Sequence, residues 1–273
     1  MIDTSVSVII SSYNHPKWLE KVLIGFSCQS VSGFEIVIAD DGSGAETKSV
    51  VEKCRTNLDL NILYVWHEDK GFRKTKILNE ALKISTGEYI IFTDGDCIPR
   101  RDFIETHLSN AEDGYYLSGG YVRLPLSVSR LIGFEDIASG RAFSIRWLQK
   151  AGVKRSFKLS KLSGFKWFTQ MMNLITPANA TWNGCNASTW REYFFELNGF
   201  NEDMHYGAED REFGSRLDNK GLRSKQIRYS AICIHLDHAR AYKNKEHLIA
   251  NQTIWRTTKR NKLIVTKNGI QKL

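Results

Sequence analysis

Three apolar runs, each closing on a polar or acidic cluster, constrain this chain more than any other feature. Val6-Ser7-Val8-Ile9-Ile10 leads into Ser11-Ser12-Tyr13-Asn14-His15-Pro16. Glu35-Ile36-Val37-Ile38-Ala39 leads into Asp40-Asp41-Gly42-Ser43, and Tyr89-Ile90-Ile91-Phe92-Thr93 into Asp94-Gly95-Asp96. A further strand is predicted from Asn61 to Trp66. Helical patterns lie between the strands: Trp18 to Gln29, with Leu19, Val22, Leu23 and Phe26 at three-to-four spacing, then Glu46 to Arg55, then from Gly71 to Ile84 with Thr86-Gly87 as the stop. Strands apolar on both faces that alternate with helices predict a mostly parallel sheet covered on both sides. Ligands of open α/β sheets bind beyond the carboxyl ends of the strands, so the three clusters are expected to share one edge and form one site.

The chain has 273 residues, enough to bury a large core without a disulfide or metal staple. Beyond Pro99 the regularity fades. Asp102 to Glu112 and Phe134 to Gln149 read as helical, Tyr115 to Arg123 as a strand, and regular signals return at Asn186 to Leu197, Glu209 to Asn219 and Arg228 to His235. We expect one continuous domain over residues 1–240, with a nucleotide half (1–100) and an acceptor half (101–240), followed by a basic, helical tail over 241–273. Five separated cysteines without a C-x-x-C pair fit small buried thiols in a reducing compartment. The start carries no secretory signal pattern and no stretch reads as a membrane span, so a cytoplasmic protein is expected.

The formal net charge is +8, but it is unevenly placed. Ile137 to Arg191 holds nine basic residues and no acid, and Arg240 to Leu273 nine basic residues against Glu246 alone. Such segments fit anionic partners, phosphates or a lipid surface, or else a solvated face. The tail, with Ile254 and Trp255 among Arg256, Lys259, Arg260 and Lys262, is expected either to lie on the anionic inner face of a membrane or to pack back on the domain.

Four constellations carry chemistry. Asp94-Gly95-Asp96 can converge on a hard divalent cation, or simply make a turn. Glu209-Asp210 opens an amphipathic helix, where the dipole favours ionised carboxylates, as a base or as a cap. His235 and His238, three apart, suit metal ligation, phosphate contact or a structural role. Lys70-Gly71-Phe72-Arg73-Lys74-Thr75-Lys76 places cations at a helix start, either as a solvated first turn or, as the electrostatic misfit favours, to neutralise phosphates.

Taken together, Val6 to Asn14, Ile36 to Ser43, Gly87 to Asp96 and Gly207-Ala208-Glu209-Asp210 resemble family 2 glycosyltransferases of the GT-A fold. Asn183-Gly184-Cys185-Asn186-Ala187-Ser188 and Leu197-Asn198-Gly199-Phe200 resemble the galactosyltransferase-type region shared with bacterial chondroitin-polymerase-like enzymes and β1,4-galactosyltransferases. The resemblance covers roughly residues 5 to 240. It implies a Rossmann-like sheet and an inverting, Mn²⁺- or Mg²⁺-dependent transfer from a UDP-sugar to a glycan or lipid-linked acceptor in bacterial surface polysaccharide synthesis. Ser11, Tyr13, Asp40, Asp41, Lys74, Asp94 and Gly184 would then bind the nucleotide sugar. Asp96 would hold the metal with His238, His235 being the rival. Asp210 would be the base, Glu209 would orient hydroxyls, and Trp182 to Asn186 would floor the donor sugar. Ser11 stands where the family usually has Pro, and Ala208 where it usually has an aromatic, which bears on the acceptor pocket. Two other readings are a nucleotidyltransferase making a sugar nucleotide and a non-catalytic nucleotide, glycan or nucleic-acid binding module. On the transferase reading no nucleic-acid partner is expected.

Overall fold

A computed structural model describes residues 4–177, 180–239 and 244–273. The predicted Met1 start, Arg240 and the domain boundary at 240–241 lie outside the described residues. The chain alternates from the start: β1 (Val6–Ser12), α1 (Pro16–Ser27), β2 (Glu35–Asp40), α2 (Ala45–Asn57), β3 (Ile62–Trp66), α3 (Lys74–Ile84) and β4 (Tyr89–Asp94). There follow β5 (Cys97–Pro99), α4 (Phe103–Asn110), β6 (Tyr115–Ser118), β7 (Gly120–Arg123), α5 (Leu126–Leu131), α6 (Phe134–Ala138), α7 (Ile145–Lys150) and α8 (Lys166–Ile175). The last elements are β8 (Asn186–Trp190), α9 (Arg191–Glu196), α10 (Glu209–Lys220), β9 (Arg223–Gln226), β10 (Ile232–His235) and α11 (Lys245–Arg260).

The main sheet has seven strands in the order β3-β2-β1-β4-β8-β6-β9. Its first four strands are parallel, and β8 runs antiparallel to both β4 and β6. The central strands β1, β2 and β4 are buried on both faces, which is why their sequences read as unbroken apolar runs. Helices α1 and α2 cover one face, over Val8, Ile10, Ile36 and Ile38. The other face packs against α3, α9 and α10 through Phe92, Trp182, Phe194, Phe200 and Phe213, with ring centroids 4.6 to 5.8 Å apart in successive pairs.

A second sheet of three strands, β5-β10-β7, stands beside the first. Here two sequence expectations change. Tyr115 to Arg123 is not one strand but two, in different sheets, breaking at Gly119. A Cβ there would meet the Asn186 side chain at 1.9 Å, and one on Gly120 the Arg228 carbonyl oxygen at 2.0 Å, so only glycines allow this close crossing. The helical pattern from Phe134 to Gln149 is interrupted as well, because Gly140 takes a left-handed φ of +73° between α6 and α7.

The tail packs on the domain. Trp255 donates its indole N–H to Ser215 Oγ at 2.9 Å and lies between the cations Arg211 and Lys259. Thr258 Oγ1 donates to Glu212 Oε1 at 3.0 Å. Glu212 itself pairs with Arg216 one helical turn on, at 2.9 Å, both side chains being almost fully buried. The Arg216 guanidinium also donates to the carbonyls of Leu197 and Gly199, each at 2.7 Å. One ion pair thus fastens α10, the 197–199 turn and the tail helix together. Removing its acid strands a buried cation, so Glu212→Ala is expected to cost about 3–5 kcal/mol of unfolding free energy in denaturant titration. A loss below about 1 kcal/mol would contradict this account.

Candidate active site

Strand register assembles the site. β1 and β4 pair with Ser11 beside Asp94, and the Ser11 hydroxyl donates to Asp94 Oδ1 at 2.6 Å. The same oxygen accepts from Lys74 Nζ at 2.8 Å. Lys74 opens α3, whose N-terminus is satisfied from elsewhere: Asp41 Oδ2 accepts from the Arg73 backbone N–H at 2.9 Å. The other Asp41 oxygen lies 2.7 Å from His67 Nε2. Burial pushes the Asp41 carboxyl above its usual pKa, against the pull of His67 and Arg73. Tyr13 donates its hydroxyl to Asp69 Oδ2 at 2.9 Å, and that bond raises the phenol pKa.

The second sheet brings in the histidines. β10 pairs antiparallel with β5 so that His235 faces Cys97, the residue after Asp96, and Leu236 N–H donates to the Asp96 carbonyl at 2.8 Å. Asp96 Oδ2 lies 3.0 Å from His238 Nε2 and 3.6 Å from His235 Nδ1. Burial raises the Asp96 pKa, but the hydrogen bond from His238 and the charges of both histidines outweigh it and hold the carboxyl low. His238 Nδ1 stands 2.7 Å from the Ala239 carbonyl, which fixes that nitrogen as the protonated one. Its Nε2 therefore faces Asp96 either as an imidazolium or with its lone pair towards a shared cation. A carboxylate beside an imidazole is a donor set for Mn²⁺, and for Mg²⁺ less readily.

The turn Gly207-Ala208 starts α10. Both residues are left-handed, Gly207 at φ +103° and Ala208 at +68°. Their carbonyl side is clamped by Asn251 of α11, which donates 2.7 Å bonds to the carbonyls of His205 and Gly207. Glu209 folds back to accept from the Gly207 N–H at 2.7 Å. Asp210 Oδ1 is buried with no hydrogen-bond partner among the described residues. Burial, reinforced by Glu209 and Asp94 and opposed by Lys74, raises the Asp210 carboxyl to about 7. Burial disfavours the Lys74 ammonium, but Asp94, Asp210 and Glu209 outweigh it and hold it charged.

These groups surround a cavity of about 560 Å³ at the strands' carboxyl edge. Every residue expected at the site lines it except Asp40 and Gly184. Asp40 is a correction. Its carboxylate is fully buried and accepts from the Ser43 N–H at 2.8 Å and the Tyr64 hydroxyl at 2.6 Å, so it shapes the loop, and of the pair only Asp41 lines the cavity. Gly184 lies under Asp210, where a Cβ would come 2.5 Å from the carboxylate. Of the expected floor, Asn183 and Cys185 reach this cavity, whereas the Trp182 ring belongs to the aromatic core. The sequence reading missed His15, whose ring centre is 4.6 Å from that of His238, although its place beside Tyr13-Asn14 in the first loop was a usable signal. Asp69 and Asn251 carry no such signal. A second cavity, of about 670 Å³, shares Tyr121, Asn183, the 206–208 turn, Asp210 and Arg211 with the first and is lined also by Lys161 and Arg228. Asp210 stands in the wall between the two.

Fold and site together define a GT-A protein: a Rossmann-like sheet with an acid- and histidine-lined cavity at its carboxyl edge. The chain belongs to glycosyl transferase family 2, whose sequence profile matches residues 7–176. Residues 174–239 match the profile described as the N-terminal domain of galactosyltransferase. Chondroitin synthase of Escherichia coli is 25% identical over 236 residues, covering 83% of this chain and 34% of that protein. Validoxylamine A glucosyltransferase of Streptomyces hygroscopicus subsp. jinggangensis is 26% identical over 237 residues, covering 80% and 52%. The chain thus spans about a third of the first relative and about half of the second. Among solved structures, TarS 1-349 of S. aureus in complex with UDP superposes with a TM-score of 0.62 at 19% identity, over 94% of this chain and 68% of that one. The mannosyltransferase PcManGT of Pyrobaculum calidifontis, in complex with GDP-Man and Mn²⁺, gives 0.59 at 23% identity, over 87% and 58%.

Two outcomes follow from the Asp210 environment. Burial raises its carboxyl to about 7 in the folded protein, against about 3.9 in the unfolded chain. Between those values the folded state holds the extra proton, so stability falls as pH rises through that window. Asp210→Asn removes this penalty. Its stability advantage over the wild type is expected to grow by on the order of 1–2 kcal/mol from about pH 5 to about pH 8, less than the full linkage because solvent enters through the cavity. An advantage independent of pH would contradict the shift. Gly184→Ala is expected to displace Asp210 and to lower turnover at least about tenfold with little change in melting temperature. Unchanged turnover would show that Asp210 tolerates the displacement.

Proposed function

We propose that this chain is a metal-dependent, inverting glycosyltransferase that moves a sugar from a UDP-sugar to a hydroxyl of a glycan or lipid-linked acceptor, on the cytoplasmic side, in bacterial surface polysaccharide or lipopolysaccharide synthesis. The observation that carries this reading is Asp210: a buried carboxylate oxygen without a partner among the described residues, in the wall between two cavities. A base that must meet an acceptor hydroxyl on one side and a donor's anomeric carbon on the other belongs in such a wall. The named activities of the relatives and the UDP and GDP-Man bound by structural neighbours support a nucleotide-sugar donor.

In the proposed reaction the acceptor oxygen forms a bond to C1 while the bond from C1 to the diphosphate oxygen breaks. The electron pair leaves with the diphosphate, and the acceptor proton passes to Asp210. Lys74 neutralises charge developing on the diphosphate, already held in position by Asp94. Tyr13 stacks on the uracil, Asp41 accepts from its N–H, and Ser11 fixes Asp94 beside the ribose. Glu209 orients hydroxyls, and Gly184 leaves room for Asp210. Asp96 and His238 would hold the metal, with His235 beside them. When bound, a divalent cation supplies positive charge against the leaving diphosphate.

The test is a binding and hydrolysis screen of UDP-sugars with Mn²⁺ present, repeated with GDP-sugars. Asp210→Asn is expected to lower turnover by about 10²–10⁴-fold while UDP binding stays within about twofold. Asp96→Ala is expected to abolish Mn²⁺-dependent UDP binding. Turnover untouched by EDTA would refute the metal role, and a joint loss of UDP binding and turnover in Asp210→Asn would make Asp210 a donor ligand. Pyrophosphate release would favour a nucleotidyltransferase.

A further inference from the structure

We propose that α8 and the segment before it form a docking face for an anionic lipid bilayer. The face goes beyond the transfer reaction and rests on different residues. Helix α8 is held on its inner side by buried Thr169 and Met172 and by Asn173. The Asn173 side chain donates to Ser230 Oγ at 2.8 Å and accepts from the Tyr229 N–H at 2.8 Å. On the outer side Trp167, Met171 and Leu174 follow one another at i, i+4 and i+7, with Ile175 beside them, which makes a single apolar stripe. That stripe faces solvent: Trp167 is 67% exposed, Leu174 86% and Ile175 61%. Phe157 and Phe165 on the preceding segment are more than two-thirds exposed too.

An apolar stripe alone does not name its partner; the charge around it does. Lys150, Lys154, Arg155, Lys158 and Lys166 are exposed, and none of them has a salt bridge among the described residues. No acid lies between Ile137 and Arg191 to neutralise them. A second copy of the chain seated here by two-fold symmetry would bring these cations against their own images. An anionic lipid surface meets both requirements, taking aromatic and aliphatic side chains at its acyl boundary and lysines at its headgroups. The placement also serves an acceptor delivered from the membrane. The turn gripped by Asn173 contributes Arg228, and the segment before α8 contributes Lys161, to the second cavity that Asp210 borders. Tail helix α11 is the weaker membrane face, because its Trp255 is engaged with Ser215, Arg211 and Lys259.

Flotation of the full chain with phosphatidylcholine vesicles, with and without about 30% phosphatidylglycerol, tests this without donor, metal or turnover. The wild type is expected to float with the anionic vesicles and to be released by salt. The triple change Trp167→Ser, Leu174→Ser and Ile175→Ser is expected to reduce partitioning at least about tenfold with an unchanged melting temperature. Lys259→Gln with Arg260→Gln is expected to leave it within about twofold. Wild-type protein that stays with the soluble fraction would overturn the proposal, as would binding lost in the tail variant and kept in the triple variant. A wild-type dimer in solution that the triple variant dissolves would assign the face to self-association and overturn it equally.

Discussion

The Lys74 ammonium is the interaction on which the site depends. It lies 2.8 Å from Asp94 and carries the electrostatic weight of Glu209 and Asp210 as well. Those three acids come from the end of a central strand and from a helix more than a hundred residues later. Without a cation between them, like charges would drive β4 and the α10 terminus apart or force protons onto the carboxyls. Lys74 can stand there because α3 packs on β1 and β2, so that its first side chain reaches Asp94 at the end of β4, and because Asp41, not an acid of α3 itself, satisfies the helix N-terminus at Arg73. A cation at a helix start is unfavourable locally and favourable here only because of what folds against it.

The small sheet and the tail solve the same problem of alignment by different means. Pairing of β10 with β5 is short, yet its register fixes where His235 and His238 fall relative to Asp96. The turn before α10 has no such ladder. It holds a left-handed alanine, a conformation costing roughly 1–2 kcal/mol relative to glycine, and α11 offsets that cost through Asn251 and through Thr258, which donates to Glu212 of α10. The basic tail, expected either on a membrane surface or packed back on the domain, takes the second course and is thus part of what aims Asp210.

The parallel sheet was legible because its strands are buried on both faces, which leaves a continuous apolar run that periodicity detects. The clusters at the strand ends were legible for the same reason, since topology sends all carboxyl ends to one edge. What was hidden depends on pairing over distance. Asp40 and Asp41 are adjacent and chemically alike, and only folding decides that Tyr64 and Ser43 take the first while the second faces the cavity. The split of Tyr115 to Arg123 between two sheets follows from crowding by Asn186 and Arg228, residues far along the chain. Asp69 and Asn251 are ordinary polar residues whose importance comes wholly from what they touch.

Asp210 shows how these constraints meet in one atom. Its Oδ1 is buried and unbonded among the described residues, which a purely structural carboxylate would avoid by finding a donor. Gly184 stands directly beneath it, where any side chain would collide with the carboxylate, so the space around that oxygen is kept by a residue that contributes no group to it. Lys74 pulls the carboxyl towards ionisation while burial, Glu209 and Asp94 push it towards the proton, and the balance falls close to neutrality. A carboxyl balanced there can take a proton from a hydroxyl and later release it, which one at the ordinary value does less well. The cost of leaving the group unsatisfied is a loss of stability, and that is the cost a fold retains when the group has a partner yet to bind.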